Sequence, residues 1–111
     1  MTIIKDTLQD IHDLLEEEEN WCKGNFAVDE SNKIVPVDNT NACRWCILGA
    51  LMRTAVRRNL NKDTTNAVTQ MLNVAVHNAT GSSKLSVVGF NDKATHPQLV
   101  EMLAWAARTA K

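Results

Sequence analysis

Three stretches of the chain repeat apolar residues at the spacing of a helix turn, and a fourth is apolar on every side. Residues 2 to 19 put Ile4, Leu8, Ile11 and Leu15 on one stripe, with Leu14 beside them. Asp6, Asp10 and Asp13 lie opposite, so the segment reads as an amphipathic helix with Thr2 as its N-cap. From Asn61 to Thr80, Val68, Met71, Leu72, Ala75, Val76 and Ala79 give the clearest helical stripe, ended by Gly81. Near the carboxyl end, Thr95-His-Pro-Gln98 has the form of a capping box with proline in the first turn. It opens a helix lined by Leu99, Met102, Leu103 and Ala106.

The fourth stretch is residues 42 to 56, where Arg44 is the sole charge before Arg53. A helix apolar all round belongs in an interior, so this segment is expected to be the central helix, running to about Arg58. Asp38-Asn-Thr-Asn41 would cap its start. Between the first two helices, residues 25 to 37 alternate about a polar turn at 29 to 33 and read as a β-hairpin. Pro36 confines its second strand to an edge. Residues 85 to 90 read as a short strand or an extended connection. The expected fold is thus mainly α: four helices in one domain, 1 to 111, around a buried central helix (about 42–58), with a small hairpin (about 25–37).

Composition adds limits rather than a function. A chain of 111 residues with 44% hydrophobic and 23% charged positions suits one ordinary core. No apolar run reaches the ~20 residues of a membrane span, and the start lacks the order of a signal peptide. Three cysteines leave one unpaired in any disulfide scheme, so reduced thiols and a cytoplasmic location are expected.

The net charge of −1 hides a division, with nine acids against two bases in residues 1 to 30 and four against ten thereafter. General nucleic-acid binding is not expected at a pI near 6.3. The run Glu16, Glu17, Glu18 and Glu19 would oppose the dipole of the helix it ends. Either bases elsewhere neutralise it or it serves a partner. Arg53, Arg57 and Arg58 favour the dipole of theirs, and with Lys62 and Lys84 or Lys93 they could hold the phosphate of a nucleotide.

Two of the three cysteines form Cys43-Arg-Trp-Cys46. On one helix face such a pair could share a metal or form a redox disulfide. Zinc would need Cys22 with His77 or His96 in addition, and a thioredoxin-like dithiol needs a βαβ setting that is missing, so neither metal nor cofactor is expected. Cys46 as a nucleophile, with His77 or His96 as base and Asp92 or Asn91 as orienter, is the enzymatic alternative. The preferred reading buries these sulfurs as small core residues. Asn91-Asp92 would be a polar turn or the lining of a pocket. Gly49 inside the central helix marks the close approach of another backbone. Trp21 and Trp105, aromatic residues beside polar ends, are candidates for contact with a partner.

Trp21-Cys-Lys-Gly24, Ala42 with Trp45-Cys46-Ile-Leu-Gly49-Ala50-Leu51, then Phe90-Asn91-Asp92 and Thr95 with Leu99-Val100, resemble a family of uncharacterised proteins. These occur in bacteria, notably actinobacteria, and in phages, and are catalogued as a domain of unknown function. The similarity runs over roughly residues 8 to 107. The spacing from Asn91-Asp92 to Thr95 is shorter than the family pattern and lacks its Pro-Gly, and Cys22 and Cys43 fall outside that pattern. The resemblance implies a fold and a candidate region without a reaction. Its phage members suggest an accessory protein of a phage or mobile element.

The expected function is therefore non-enzymatic binding, inhibiting a host or viral protein or sequestering a small ligand. Glu16 to Glu19, Trp21, Arg53, Arg57, Arg58, Asn91, Asp92 and Trp105 are its candidate contacts.

Overall fold

The computed structural model describes residues 3–111. Helix α1 (Ile3–Leu15) is followed by a 3₁₀ turn (Glu18–Asn20), strand β1 (Ala27–Val28) and strand β2 (Arg44–Trp45). Four helices complete the chain: α2 (Ile47–Arg58), α3 (Lys62–Thr80), α4 (Val87–Lys93) and α5 (His96–Thr109). The fold is mainly α with one small antiparallel pair of strands, as the pattern leads one to expect.

Helix α1 touches the most. It packs on α5, α2 and α3, and its stripe Leu8, Ile11 and Leu15 is fully buried. Helix α3 lies on α5, and α4 bridges α2 and α3. Thr2, the expected N-cap of α1, lies outside the described residues. The helix ends at Leu15 rather than at residue 19, because Asn20 Nδ2 donates to the Leu14 carbonyl (2.9 Å) and the His96 ring meets the Leu15 carbonyl (2.8 Å). Both satisfy carbonyls that a helix end leaves without partners. The acid run then falls mostly in the turn beyond, away from the axis of the dipole.

Residues 42 to 45 are extended, not helical. Ala27 pairs with Trp45 and Val28 with Arg44, and the hairpin expected over 25–37 survives as a single bridge from Val28 to Ile34. Trp45 decides the matter. Its indole is buried and donates to the Val37 carbonyl (2.9 Å), while its own carbonyl accepts from Cys22 N (3.0 Å). Helix α2 therefore starts at Ile47 and is capped by Cys46, whose Sγ accepts from Gly49 N at 3.3 Å. Asp38 to Asn41 form a turn instead, with Asn41 N donating to Asn39 Oδ1.

Nor is α2 covered on every side. Ile47, Ala50, Leu51 and Thr54 face the interior, whereas Met52 and Val56 are exposed. The segment read as strand or connection at 85 to 90 is the start of α4, set by Ser86 Oγ accepting from Gly89 N (3.0 Å). At α5 the expected capping box is present, Thr95 and Gln98 each bonding the other's backbone.

Gly49 has the role its cost implies. A Cβ there would overlap the Phe26 carbonyl oxygen and lie 2.7 Å from the Phe26 carbonyl carbon, both backbone atoms that cannot swing aside. Gly49→Ala should lower stability by more than about 2 kcal/mol, through forced separation of α2 from the β1 segment. Urea unfolding of the variant checks this, and a midpoint equal to wild type would contradict the close approach.

Candidate functional site

The segments that carry the family resemblance converge on one buried side chain. Asn91, on α4, is 1% exposed. Its Oδ1 accepts from Trp21 Nε1 (2.8 Å) and from Ile47 N (3.0 Å), the first amide of α2. Its Nδ2 donates to the Cys22 carbonyl (3.1 Å) and to Asp92 Oδ1 (3.3 Å). Asp92 Oδ1 also accepts from Gly24 N at 3.1 Å, where Gly24 sits at φ +85° as the turn requires. All four hydrogen-bonding positions of the amide are used. Asn91 is thus a lock joining α4, the start of α2 and the 21–24 turn, not a surface turn. Trp21 is committed to it, with the His96 ring 5.7 Å from its own and Lys23 Nζ 5.2 Å above it.

Beside the lock a cleft of about 300 Å³ opens between the 24–26 segment, the first turn of α2 and α4. Phe26, Ile34, Leu48, Val87 and Val88 make its walls, with Cys46, Asn25, Asn91 and Asp92 completing it. Sequence reasoning placed Cys46, Asn91 and Asp92 as candidates and missed the apolar walls. Ser86 and Gly89, with capping spacing, were the signal for α4, and hence for Val87 and Val88 facing one cleft.

Cys46 reaches this cleft while 8% exposed. Burial raises its thiol pKa, against the lowering pull of the Gly49 amide. Cys22 is pushed up to about 11, by burial first and the neighbouring Cys46 second. Cys43 lies before β2 and Cys46 caps α2, so the C-x-x-C pair does not share a helix face. All three cysteines are free. The histidines proposed as bases are elsewhere: His96 bonds the Leu15 carbonyl, and His77 is exposed on α3. Of the enzymatic set, Cys46, Asn91 and Asp92 share the cleft and neither histidine lines it.

The charged surfaces separate in the same way. Arg58 Nε donates to Asp10 Oδ2 (2.6 Å), tying α2 to α1, and Arg53 stacks 4.8 Å over the Trp45 ring. Arg57 is exposed and shares a groove with Arg53, Asp10 and Asp13, while Lys93 lies in another with Trp105 and Arg108, so these bases are divided between two places. Glu16 to Glu19 are exposed and make no ion pair among the described residues. The basic end of α2 therefore does not neutralise them. His12, Asp13 and Glu16 hold one imidazole and two carboxylates within 4.8 Å of one another. They could take a cation, although Asp13 already accepts from Gln9 and is bonded to His12, which lowers its pKa.

A small helical domain with a buried amide lock beneath an apolar cleft is what the fold and site define. The chain belongs to a family of unknown function, DUF6197, which it matches over residues 1–109. No curated protein and no solved structure matches it. No helix among the described residues is long and apolar enough to cross a membrane.

Removing the lock should be costly. Asn91→Ala leaves Ile47 N–H, the Trp21 indole and the Cys22 carbonyl without partners, a loss of about 3 kcal/mol or more. Chemical unfolding followed by tryptophan fluorescence reads it, and a loss under about 1 kcal/mol would contradict the lock.

Cys22 gives a pH prediction. Its thiol has the ordinary value of 9.0 when unfolded and is pushed up to about 11 by burial when folded. The folded state holds the proton more tightly, so this stability is complete below pH 9 and is lost as pH rises towards 11. Melting temperature should fall over that window, and Cys22→Ser should flatten the fall.

Proposed function

We propose that this chain is a non-enzymatic binding module that holds a small, largely apolar ligand in the α2–α4 cleft. The observation that carries the reading is the cleft itself: about 300 Å³, walled by aliphatic and aromatic side chains, with Asn25, Cys46, Asn91 and Asp92 as its polar members. Asp92 Oδ1 is occupied by Gly24 N and Asn91 Nδ2, while Oδ2 has no partner among the described residues. A ligand with an apolar body and one ammonium or hydroxyl group suits this arrangement, the body displacing water from the walls and the donor meeting the carboxylate. A volume of this size admits a small molecule or one large side chain of another protein. We extend the proposal to an accessory protein of a phage or mobile element, sequestering a ligand or occupying a host protein's side chain.

A cysteine-dependent hydrolase or transferase is the second reading, favoured only by Cys46 lying in the same cleft. Its thiol is protonated at neutral pH and capped onto Gly49 N, and neither candidate imidazole is beside it. Iodoacetamide at neutral pH should leave Cys46 unmodified in the native protein. Rapid, selective alkylation at that residue would replace the binding reading with the enzymatic one.

Hexylamine and benzylamine, with hexanoate and phenylacetate as matched anions, test the ligand class directly. Ligand-observed NMR should show the amines bound and the anions not. Val88→Trp, which fills the cleft from an exposed position on α4, should abolish the signal with the fold intact. Equal binding of amines and anions, no binding of any of the four, or binding unchanged by V88W would contradict the proposal.

A further inference from the structure

Lys93, one of the bases that the sequence offers for holding a phosphate, lines a groove of about 400 Å³ between the end of α3, helix α4 and helix α5. Gln98, Glu101, Met102, Trp105 and Arg108 supply its α5 side, and their spacing puts them on one stripe of that helix. Phe90 and Met102, both buried, give it an apolar floor. No residue lines both this groove and the α2–α4 cleft.

The polar groups of the groove are unpartnered. Trp21 Nε1 donates to Asn91 and Trp45 Nε1 to the Val37 carbonyl, whereas Trp105 Nε1 has no acceptor among the described residues. Its ring is half-buried and packed against the core, a setting in which a tryptophan N–H ordinarily finds a partner. Lys93, Arg108 and Glu101 make no ion pair among the described residues. Donors therefore exceed acceptors here, and the complementary ligand is an anion rich in acceptor oxygens.

The order of these groups narrows the ligand further. Glu101 and Arg108 stand one turn to either side of Trp105, about 10 Å apart along α5. Lys5 Nζ donates to the Arg108 and Ala110 carbonyls (3.2 and 3.4 Å). That covers the negative pole of α5 and brings a second cation to the Arg108 end.

We infer that this groove binds a nucleoside monophosphate whose base carries an exocyclic amine. The phosphate meets Arg108, the base lies on the Trp105 ring, and the amine donates to Glu101. Cation, ring and carboxylate along α5 thus match phosphate, base and amine along the ligand. Lys93, from α4, adds to the positive potential of the groove. Inorganic phosphate would leave the ring and the carboxylate unused. Phenylacetate brings half the charge and nothing for Glu101, so it is not a ligand here.

The inference is independent of the amine proposed for the α2–α4 cleft, since the two sites share neither residues nor probes. Calorimetric titration with AMP, CMP, UMP and inorganic phosphate is the test. AMP and CMP should bind, with UMP and phosphate about tenfold weaker or more. Arg108→Ala should weaken AMP about tenfold with its circular dichroism unchanged, because Lys5 bonds the backbone carbonyl and not the side chain. Arg108→Gln gives the same reading should R108A lose its helical spectrum. Glu101→Ala should bring CMP down to the level of UMP, and Arg57→Ala, in the α1–α2 groove, should change nothing. In nitrogen-15 spectra AMP should move the Trp105 indole signal and leave those of Trp21 and Trp45 in place. Absence of AMP and CMP binding overturns the inference, as does phosphate binding as tightly as AMP. So does a folded R108A that binds AMP like the native chain, or a Trp105 indole signal that AMP leaves unmoved.

Discussion

A primary amide brought out of water is tolerable only when both lone pairs of its oxygen and both protons of its nitrogen find partners. Asn91 meets that condition by drawing on three separate parts of the chain: the Trp21 indole, the Cys22 carbonyl and the first amide of α2, with Asp92 completing the set. Each partner would be costly to leave unpaired in the same low-dielectric setting, so the four bonds are made together or not at all. The position of α4 follows from this. Seven residues make a helix too short to stand on its own, and α4 stays where it is because Asn91 and the buried Val87 and Phe90 hold it.

The start of α2 is determined from both directions. Asn91 Oδ1 takes the Ile47 amide and Cys46 Sγ the Gly49 amide, so the first turn is capped by two neutral acceptors. A neutral cap leaves little for an anion to bind, and burial keeps the sulfur protonated. The cleft that results is largely apolar because Cys46, Asn91 and Asp92 Oδ1 are already bonded to their neighbours. What the cleft leaves open is hydrophobic wall, the Asn25 side chain and one carboxylate oxygen of Asp92.

Much of this was legible in the sequence, and the omissions have definite causes. The stripes of α1, α3 and α5 and the Thr95–Gln98 capping box are local signals, and they appear where periodicity and capping chemistry put them. Gly49 was readable because glycine in a helix has a cost that something must compensate, and the Phe26 backbone does so. The beginning of α2 was not readable, since the extended form of 42–45 depends on pairing with Ala27 and Val28 and on Trp45 reaching the Val37 carbonyl. Those contacts are non-local, and apolar content alone cannot tell a buried strand from a buried helix. Asn91-Asp92 looked like a turn for a related reason: the distant partners that make it a lock lie 44 to 70 residues earlier. The uncovered side of α2 escaped notice because an all-apolar helix was assumed to be enclosed by its own chain.

Hydrogen exchange at the lock tests the central claim most directly. In the native protein the Trp21 indole proton and the Ile47 amide should be protected to the same degree as core amides of α1, and should exchange only when the whole unit opens. An indole proton exchanging at the rate of an exposed tryptophan, while the amides of α1 and α3 stay protected, would show that Asn91 does not hold these segments together.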